Sequence, residues 1–302
     1  MHSSLRYSFS SWVIERRKLV NAALREALPS VKTQPTTLHR AIRYSLFAGG
    51  KRLRPILCLA AAEACSSKGD PLKSAMPSAC ALECLHTYSL IHDDLPSMDN
   101  DDLRRGKPTC HHVFGEGIAI LAGDALLTGS FELLAHVKPT KRYPLQVFLK
   151  EMAHAAGSQQ LIAGQVADLE AEGKKWKLSD ISFIHQRKTA ALIILSLRLG
   201  AMSVNATSRQ LDTLTSFGAA LGLAYQIIDD ILDVTQSREQ LGKSSGKDIT
   251  AQKATYPAVM GVPAALQEAE KQTNKAMMAL KSLGKQAAML ELFARELLER
   301  TK

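Results

Sequence analysis

A dense acidic stretch follows an apolar helical segment at residues 92 to 109 of the chain. It contains five aspartates: Asp93, Asp94, Asp99, Asp101 and Asp102. Carboxylates this close together repel one another, and a fold buries them only if a cation compensates their charge. Mg²⁺ takes oxygen ligands and is usually bound by one or two carboxylates together with substrate phosphates. The stretch therefore predicts a site for magnesium and a diphosphate, and Arg104 and Arg105 add donors that suit phosphate oxygens.

Pro96 determines where the helix that carries the first aspartates ends. Proline disfavours helical structure at the preceding residue, so the helix predicted over Ser78 to Asp94 stops before Leu95. The acidic stretch is thus divided between a helix end and a loop. We expect the loop to fold back so that the aspartates converge.

A second acidic cluster lies in the other half of the chain. It consists of Gln226, Asp229, Asp230 and Asp233 within the apolar segment Leu221 to Val234. On a helix, Asp229 and Asp233 share a face, and Gln226 lies one turn earlier. Aspartates on a buried face need a cation; the alternative is a solvated acidic patch, which the flanking isoleucines and leucines disfavour. We predict that both clusters face one cavity and hold several metal ions around one diphosphate.

Helical periodicity dominates the rest of the chain, whereas sustained strand alternation and Asn-Gly or Asp-Gly hairpin turns are missing from the sequence. We predict an all-α fold, a single domain over residues 1–302 that forms a bundle of about ten helices. Residues 1–10 are predicted to be an irregular start, and Thr207 with Gln210 forms a predicted capping box. The other long helices are predicted over Ser11 to Leu28, Leu38 to Ala48, Gly117 to Ala135, Lys141 to Leu169, Ser179 to Leu199, Thr207 to Val234, and Ala264 to Lys302 with a break at Gly284.

Two glycines, Gly49 and Gly50, precede the basic residues Lys51 and Arg54. The glycines are able to close a helix and to let the backbone approach an anion. Lys51 and Arg54 lie one turn apart if Pro55 begins the next helix, so both could reach one diphosphate. The alternative is a helix cap with solvated charges.

Lys188 and His86 are polar residues in apolar helical segments. The charge of Lys188 requires an anion nearby. His86 is able to donate to a phosphate, although a lone histidine in this setting is more often a core residue.

A basic loop rich in glycine and serine follows the second acidic cluster, at Leu241 to Asp248. We predict that it is a lid in which Lys243, with Lys253 farther on, closes over a diphosphate.

The net charge is +9, from 38 basic and 29 acidic residues, which is compatible with nucleic-acid binding. The basic residues are scattered, however, aromatic residues make up only 5%, and no nucleic-acid-binding motif is present. Small anionic substrates explain the excess positive charge, and we expect no nucleic-acid partner.

The five cysteines are odd in number and lack the paired spacing of a zinc site. Free cysteine is commonly a small buried hydrophobic residue, and this usage suits a reducing compartment. No signal peptide is evident, and uninterrupted apolar runs such as Ala190 to Leu195 are too short to cross a membrane. We therefore expect a soluble cytoplasmic protein without a membrane span.

Three motifs together resemble the signatures of the trans-isoprenyl diphosphate synthases: Gly49 to Pro55, His92 to Thr109, and Gln226 to Asp233. The similarity extends from about Leu38 to Lys302 and is strongest to bacterial short-chain farnesyl diphosphate synthases, whose first motif also has two extra residues between its aspartates. This resemblance implies the isoprenoid synthase fold, with helices around a central cavity, a homodimer and three magnesium ions per active site. It also implies prenyl diphosphate substrates, with isopentenyl diphosphate condensed onto dimethylallyl and geranyl diphosphate to give farnesyl diphosphate.

The resemblance assigns roles to residues of this chain. The implied metal ligands are Asp93, Asp94, Asp99, Asp229, Asp230 and Asp233. The implied allylic diphosphate ligands are Arg104, Lys188, Thr189, Gln226, Lys243 and Lys253, and those for isopentenyl diphosphate are Lys51, Arg54, His86 and Arg105. The six aspartates, Arg104 and Lys188 are expected to promote the chemical step.

Tyr88 and Ser89 precede Asp93 by roughly one helical turn, about 5.4 Å, on the predicted helix. By resemblance, an aromatic residue here is typical of farnesyl rather than geranylgeranyl producers; the alternative is a tyrosine of the core. Geranylgeranyl diphosphate synthesis on the same scaffold remains a rival. A terpene cyclase should lack the second diphosphate site, and a non-catalytic regulatory subunit that binds prenyl diphosphates is disfavoured by two intact aspartate motifs.

Overall fold

The predicted all-α fold is confirmed by a computed structural model, which describes residues 2–171, 173–174, 176–235 and 255–299. The helices are α1 (His2–Ala27), α2 (Thr36–Leu46), α3 (Leu53–Cys65), α4 (Pro71–Asp93), α5 (Cys110–Phe114), α6 (Glu116–Ala135), α7 (Leu145–Ala156), α8 (Leu161–Ala171), α9 (Leu178–His185), α10 (Ala191–Ser203), α11 (Ser208–Thr235), α12 (Tyr256–Met260), α13 (Val262–Ala279) and α14 (Ala288–Glu299). A π-helical turn, Gln186–Ala190, joins α9 to α10, and a 3₁₀ segment, Leu280–Ala287, joins α13 to α14. In the described residues, strand structure is confined to an antiparallel hairpin of β1 (Leu103–Arg104) and β2 (Lys107–Pro108).

The core is built around α3, α4 and α10, which pack against one another, and α11, which packs against α10. Most residues of α3 and α10 are buried, in agreement with their almost continuous apolar sequences. α6 covers α4 on one side, and α13 covers α11 on another. This arrangement places the C-terminal end of α4 and the second half of α11, which carry the two acidic clusters, in one helical assembly.

Several predicted helix boundaries are wrong. α4 begins at Pro71 rather than at Ser78, because Asp70 caps its N-terminus by accepting a hydrogen bond from Lys73 N, and Pro77 is accommodated inside the helix. The first helix begins at His2 instead of Ser11. The segment Lys141 to Leu169 forms two helices instead of one, since α7 ends at Ala156 and α8 begins at Leu161.

The helix predicted over Ser179 to Leu199 contains the π-helical turn, which periodicity did not reveal. The break at Gly284, which has a φ of 61°, is confirmed. The capping box is confirmed as well, because Thr207 N donates to Gln210 Oε1 at 2.8 Å and Gln210 N to Thr207 Oγ1 at 3.2 Å. All five cysteines are buried and free.

Within the described ranges, α6 is long and apolar enough to cross a membrane by length and composition. Its apolar window has a mean hydropathy of 1.6 and is 33% buried. The helix itself was predicted over Gly117 to Ala135, but its acidic residues Glu116, Asp124 and Glu132 leave no long uninterrupted apolar run that would mark it as a possible span. Such a helix alone is weak evidence for a membrane span, since core helices of soluble proteins meet the same criterion.

Candidate active site

The loop after α4 folds back on the end of that helix, as the sequence predicted. Asp99 N donates to Asp93 O at 2.9 Å, and Asp101 N donates to Asp94 O at 3.1 Å. Asn100, at a φ of 49°, allows the turn that makes this possible. The backbone therefore brings the loop aspartates to the two helical ones.

The five carboxylates of this stretch have different surroundings. Arg104 donates to Asp94 Oδ1 from Nε at 2.8 Å and also from Nη2, and it contacts Asp101 at 3.4 Å. Asp102 instead points to His112 at the exposed edge of the site, with 2.9 Å between Oδ1 and Nε2. Arg104 thus compensates part of the negative charge, and Asp102 stays outside the group.

Asp93 is partly buried next to the buried Asp94. Burial raises its pKa to about 6, Asp99 and Asp94 contribute in the same direction, and Lys188 and Arg104 oppose the shift. Its Oδ1 accepts a hydrogen bond from Gln165 Nε2 of α8. A bound cation would favour the ionised form of this carboxylate, which its surroundings otherwise oppose.

Lys188, in the π-helical turn, points at this acidic group. Its Nζ donates to Asp168 Oδ2 at 2.6 Å. Burial alone would lower the pKa of Lys188, but the carboxylates of Asp168, Asp93 and Asp99 outweigh burial and raise the pKa above its ordinary value. Lys188 is therefore a firmly protonated cation within the field of the first acidic cluster.

In the second acidic cluster, Asp230 is buried and accepts several hydrogen bonds. Gln226 Nε2 donates to its Oδ1 at 3.0 Å, and Tyr256 N donates to its Oδ2 at 3.1 Å. His185 Nε2 lies 3.5 Å from the same Oδ2. Gln226 in turn accepts a hydrogen bond from Thr189 Oγ1 at 2.8 Å. Asp230 thus ties the π-helical turn, α9, α11 and α12 together.

A series of side-chain contacts joins the two acidic clusters. It runs from Asp93 through Gln165 and Asp168, which share a face of α8, to Lys188 and Thr189, and ends at Gln226 and Asp230. The clusters therefore lie on the same side of the bundle and not on unrelated surfaces.

The donor set fits magnesium that is shared with a phosphate ligand. Among the described residues, no group of three or more His, Cys, Asp or Glu side chains is arranged to hold a metal ion by itself. Carboxylate oxygens are nevertheless the ligands Mg²⁺ prefers, and substrate phosphates normally complete its coordination. Asp94 and Asp230 already accept hydrogen bonds from protein donors, so as direct ligands they would have to share or give up these bonds.

A cationic group, formed by Arg52, Arg54, Arg104 and Arg105 around the ring of His86, lies beside the first acidic cluster. Burial, together with these arginines, lowers the pKa of His86 well below its ordinary value, so the ring is neutral and able to donate from one nitrogen. The buried Nε of Arg54 has no hydrogen-bond partner. An anionic ligand bound here would accept a hydrogen bond from this donor and compensate the charge of the neighbouring arginines.

The paired glycines support this cationic group through close contact with Arg105. Arg105 Nη1 donates to Gly49 O at 2.6 Å. Gly50 has a φ of 109°, and a Cβ there would lie 2.6 Å from the guanidinium carbon of Arg105. Only glycine combines this backbone conformation with this contact.

The remaining predicted site residues occupy different positions. Lys51 is exposed in the loop before α3. Tyr88 is buried beneath Asp93 on α4, and Ser89 Oγ donates to His86 O at 2.9 Å, within the same helix. Lys243 and Lys253, with the predicted lid, lie outside the described residues.

The polyprenyl synthetase family model matches residues 35–296, a range that includes both acidic clusters and the glycine motif. The chain belongs to this family. It is a short-chain prenyltransferase with the isoprenoid synthase fold.

The chain is 48% identical over 276 residues to the heterodimeric geranylgeranyl pyrophosphate synthase large subunit 1 of Arabidopsis thaliana, which covers 89% of this chain and 73% of that protein. It is 46% identical to a dimethylallyltranstransferase of Fischerella ambigua, over 98% of this chain and 84% of that protein. The curated proteins with the strongest similarity to this chain are mostly named geranylgeranyl diphosphate or pyrophosphate synthases. A Helicobacter pylori geranyltransferase, solved with magnesium and isoprenyl diphosphate, aligns with a TM-score of 0.84 and 32% identity over 96% of each chain.

Three residues without a predicted role lie beside the acidic clusters in this structure: Gln165, Asp168 and His185. Each is a polar residue inside an apolar helical segment, which was the available signal. Gln165 and Asp168 lie within the segment Lys141 to Leu169 that is predicted to be helical, but their partners in α4 and in the π-helical turn are 72 and 20 residues away in sequence.

A separate surface groove, with a volume of about 590 Å³, is lined by Val31, Thr37, Arg40, Arg43, Tyr44, Val113 and Phe114. None of the predicted metal or diphosphate ligands lines it. This groove is therefore separate from the candidate site between the acidic clusters.

Proposed function

We propose that this prenyltransferase condenses isopentenyl diphosphate with dimethylallyl diphosphate and then with geranyl diphosphate, and that farnesyl diphosphate is its main product. The proposal rests on Tyr88, a bulky side chain that is only 7% exposed and lies beneath Asp93 on α4. Its ring packs edge-on against His92, with 5.7 Å between the ring centroids. A growing prenyl chain that descends along α4 from the acidic cluster would meet this ring.

The reaction begins with cleavage of the allylic C–O bond, which leaves an allylic carbocation and a diphosphate. Magnesium ions, held by Asp93, Asp94, Asp99, Asp229, Asp230 and Asp233, would supply positive charge that stabilises the leaving diphosphate. Arg104 and Lys188 add fixed positive charge at the same place, because neighbouring carboxylates raise the pKa of both side chains. Charge fixed in position before the bond breaks is the largest contribution expected of these residues.

The cationic group holds the second substrate. Arg54, Arg105, Lys51 and neutral His86 would bind the diphosphate of isopentenyl diphosphate, and its double bond would then face the carbocation. When both substrates are held in a reactive orientation, the reaction no longer has to overcome the entropy cost of a bimolecular encounter. The new C–C bond forms, a proton leaves the adjacent carbon, and the departing diphosphate accepts that proton. No protein nucleophile takes part.

Geranylgeranyl diphosphate synthesis is the second candidate, and it is favoured by the names of most similar curated proteins. The decisive experiment is incubation of the pure protein with Mg²⁺, isopentenyl diphosphate and dimethylallyl or geranyl diphosphate, followed by phosphatase treatment and chromatography of the alcohols. Farnesol as the main alcohol supports the proposal, and geranylgeraniol supports the second candidate. Substrate binding without turnover would instead support a regulatory subunit.

The oligomeric state and the cellular compartment are further proposals. We propose a homodimer, because α6 and the preceding α5 expose large apolar side chains, with Leu121 at 56%, Val113 at 46% and Ile120 at 42% exposure. The buried free cysteines fit a reducing compartment such as the cytoplasm. Prenyl diphosphates are the proposed partners, and three magnesium ions per site remain a prediction.

A further inference from the structure

A buried carboxylate lies beneath the cationic group. Glu83, on α4, is 1% exposed, and its Oε1 accepts a hydrogen bond from Arg52 Nη1 at 2.6 Å. Both side chains of this ion pair are 2% exposed. The second oxygen, Oε2, is buried without a hydrogen-bond partner. A buried ion pair of this kind is weak evidence for stability, so its presence calls for another reason.

Arg52 connects Glu83 to the loop that carries the glycine motif. Its Nη2 donates to Leu46 O at the end of α2 at 2.6 Å, and its Nε donates to Asn21 Oδ1 of α1 at 2.9 Å. The backbone of Arg52 has a φ of 55°, a left-handed conformation that is unfavourable for a residue with a side chain. The contacts of its guanidinium therefore hold the loop in this conformation.

Glu83 also acts on arginines that it does not contact. Burial lowers the pKa values of Arg54 and Arg105, and the Glu83 carboxylate opposes the shift at both. Arg52 and Arg54 repel Arg105, so the cationic group is under electrostatic strain without an anion in its midst. Glu83 provides that anion when no diphosphate is bound.

We propose that Glu83 is a positioning residue for isopentenyl diphosphate: through Arg52 it holds the loop of Gly49 to Arg54, and with it Arg105, in the arrangement that binds the diphosphate. This inference rests on the proposed function and deepens it. Glu83 itself has no contact with the substrate, because its charge would repel a diphosphate.

The direction of the effect separates this role from simple electrostatics. Loss of a negative charge next to the arginines would, by Coulomb's law alone, strengthen diphosphate binding. A displaced loop would weaken it. The change Glu83→Gln keeps the size but removes the charge, and it replaces the charge-assisted hydrogen bond from Arg52 by a weaker neutral one that holds the loop less firmly. The two explanations therefore predict opposite results.

The first measurement is the binding of isopentenyl diphosphate by calorimetry, without an allylic substrate so that no turnover occurs. The second is the KM of geranyl diphosphate in a separate activity assay. For Glu83→Gln we expect the Kd of isopentenyl diphosphate to rise roughly tenfold or more, with the KM of geranyl diphosphate unchanged. The matched control is Glu63→Gln, because Glu63 also pairs with an arginine, Arg16, at 2.5 Å and also has one oxygen without a partner. This control should bind both substrates like the wild type.

Unchanged or tighter binding of isopentenyl diphosphate by Glu83→Gln would overturn the proposal, as would equal weakening for both substrates. If Glu83→Gln fails to fold by circular dichroism, Glu83→Asp replaces it. That variant keeps the charge but moves it away from Arg52, and the same selective loss is expected. A wild-type protein that neither binds isopentenyl diphosphate nor forms product would refute the proposed function itself.

Discussion

Ionisation of Asp93 is opposed by its surroundings in the metal-free protein, because burial raises its pKa from 3.8 to about 6. The unfolded chain ionises this side chain near pH 4, whereas the folded protein holds the proton up to about pH 6. The folded state therefore binds more protons in this window. The contribution of Asp93 to stability is present below about pH 4 and is lost as the pH rises to about 6.

We predict that Asp93→Asn removes this pH dependence. Relative to the variant, the wild type should lose at most about 3 kcal/mol of unfolding free energy between pH 4 and pH 6.5, in buffers without divalent metal. Denaturant titrations at several pH values measure the difference, and Asp102→Asn, at the exposed edge, is the control. Parallel pH profiles of stability for the wild type and Asp93→Asn would contradict the raised pKa of Asp93 in the folded protein.

Tyr88 gives a prediction about product length. Tyr88→Ala removes a ring that is 7% exposed beneath Asp93, and the space should admit a longer chain. We expect products longer than farnesyl diphosphate, measured by chromatography of the alcohols. Tyr143→Ala is the matched control, since Tyr143 is also buried but bonds to Ala206 O at 2.8 Å, away from the acidic clusters. An unchanged product profile in Tyr88→Ala would remove Tyr88 from the explanation.

At the scale of elements, the close approach of α10 to α3 depends on Gly200. A Cβ at this position would lie 2.0 Å from the carbonyl oxygen of Cys58, which is a backbone atom and cannot rotate away. The two helices form the centre of the core, and α10 continues directly from the π-helical turn that carries Lys188.

We predict that Gly200→Ala destabilises the protein by about 1–3 kcal/mol or more, because the helices must separate. Gly129→Ala, within α6, is the control: no neighbouring atom lies within 4 Å of the added Cβ, and alanine is the better helix former, by roughly 0.5–1 kcal/mol. Chemical denaturation of both variants tests this. Equal stability of the two variants would show that α10 and α3 can separate without cost.

The sequence predicted helices better than their ends. The apolar segments of α10 and α11 identified buried helices, and the capping residues at Thr207 identified the start of α11. Asp70 acts as a similar cap for α4, but the prolines at positions 71 and 77 misled the assignment. The π-helical turn has no sequence signature of its own, because it depends on the contacts of Lys188 and Thr189 with α8 and α11.

At the scale of the whole molecule, the exposed apolar side chains of α5 and α6 bear on assembly. Leu121→Glu places a charge in the centre of this surface, so the proposed dimer should dissociate. Sedimentation velocity would then show a monomer. Met278→Glu is the control, since Met278 on α13 is also exposed, at 63%, but lies on a different helix. A wild-type monomer, or a Leu121→Glu dimer, would contradict the proposed interface.

The sequence by itself determined the chemistry available to this protein. Two groups of aspartates in apolar helical surroundings, with arginines and lysines near them, are sufficient to predict a magnesium and diphosphate site, because like charges in an apolar environment require a counterion. It also determined the fold class, since helical periodicity is a local property of the chain.

Only the tertiary structure decided which of these charged and polar side chains contact one another. Arg104 compensates Asp94, Gln165 contacts Asp93, Lys188 pairs with Asp168, and Glu83 holds Arg52. Three of these pairs, all except Arg104 with Asp94, join residues that are 20 or more positions apart in the sequence. The strength of each contact depends on burial and on distances of a few ångströms. Neither quantity is encoded in spacing along the chain, so the positions of the charges emerge only when the helices pack together.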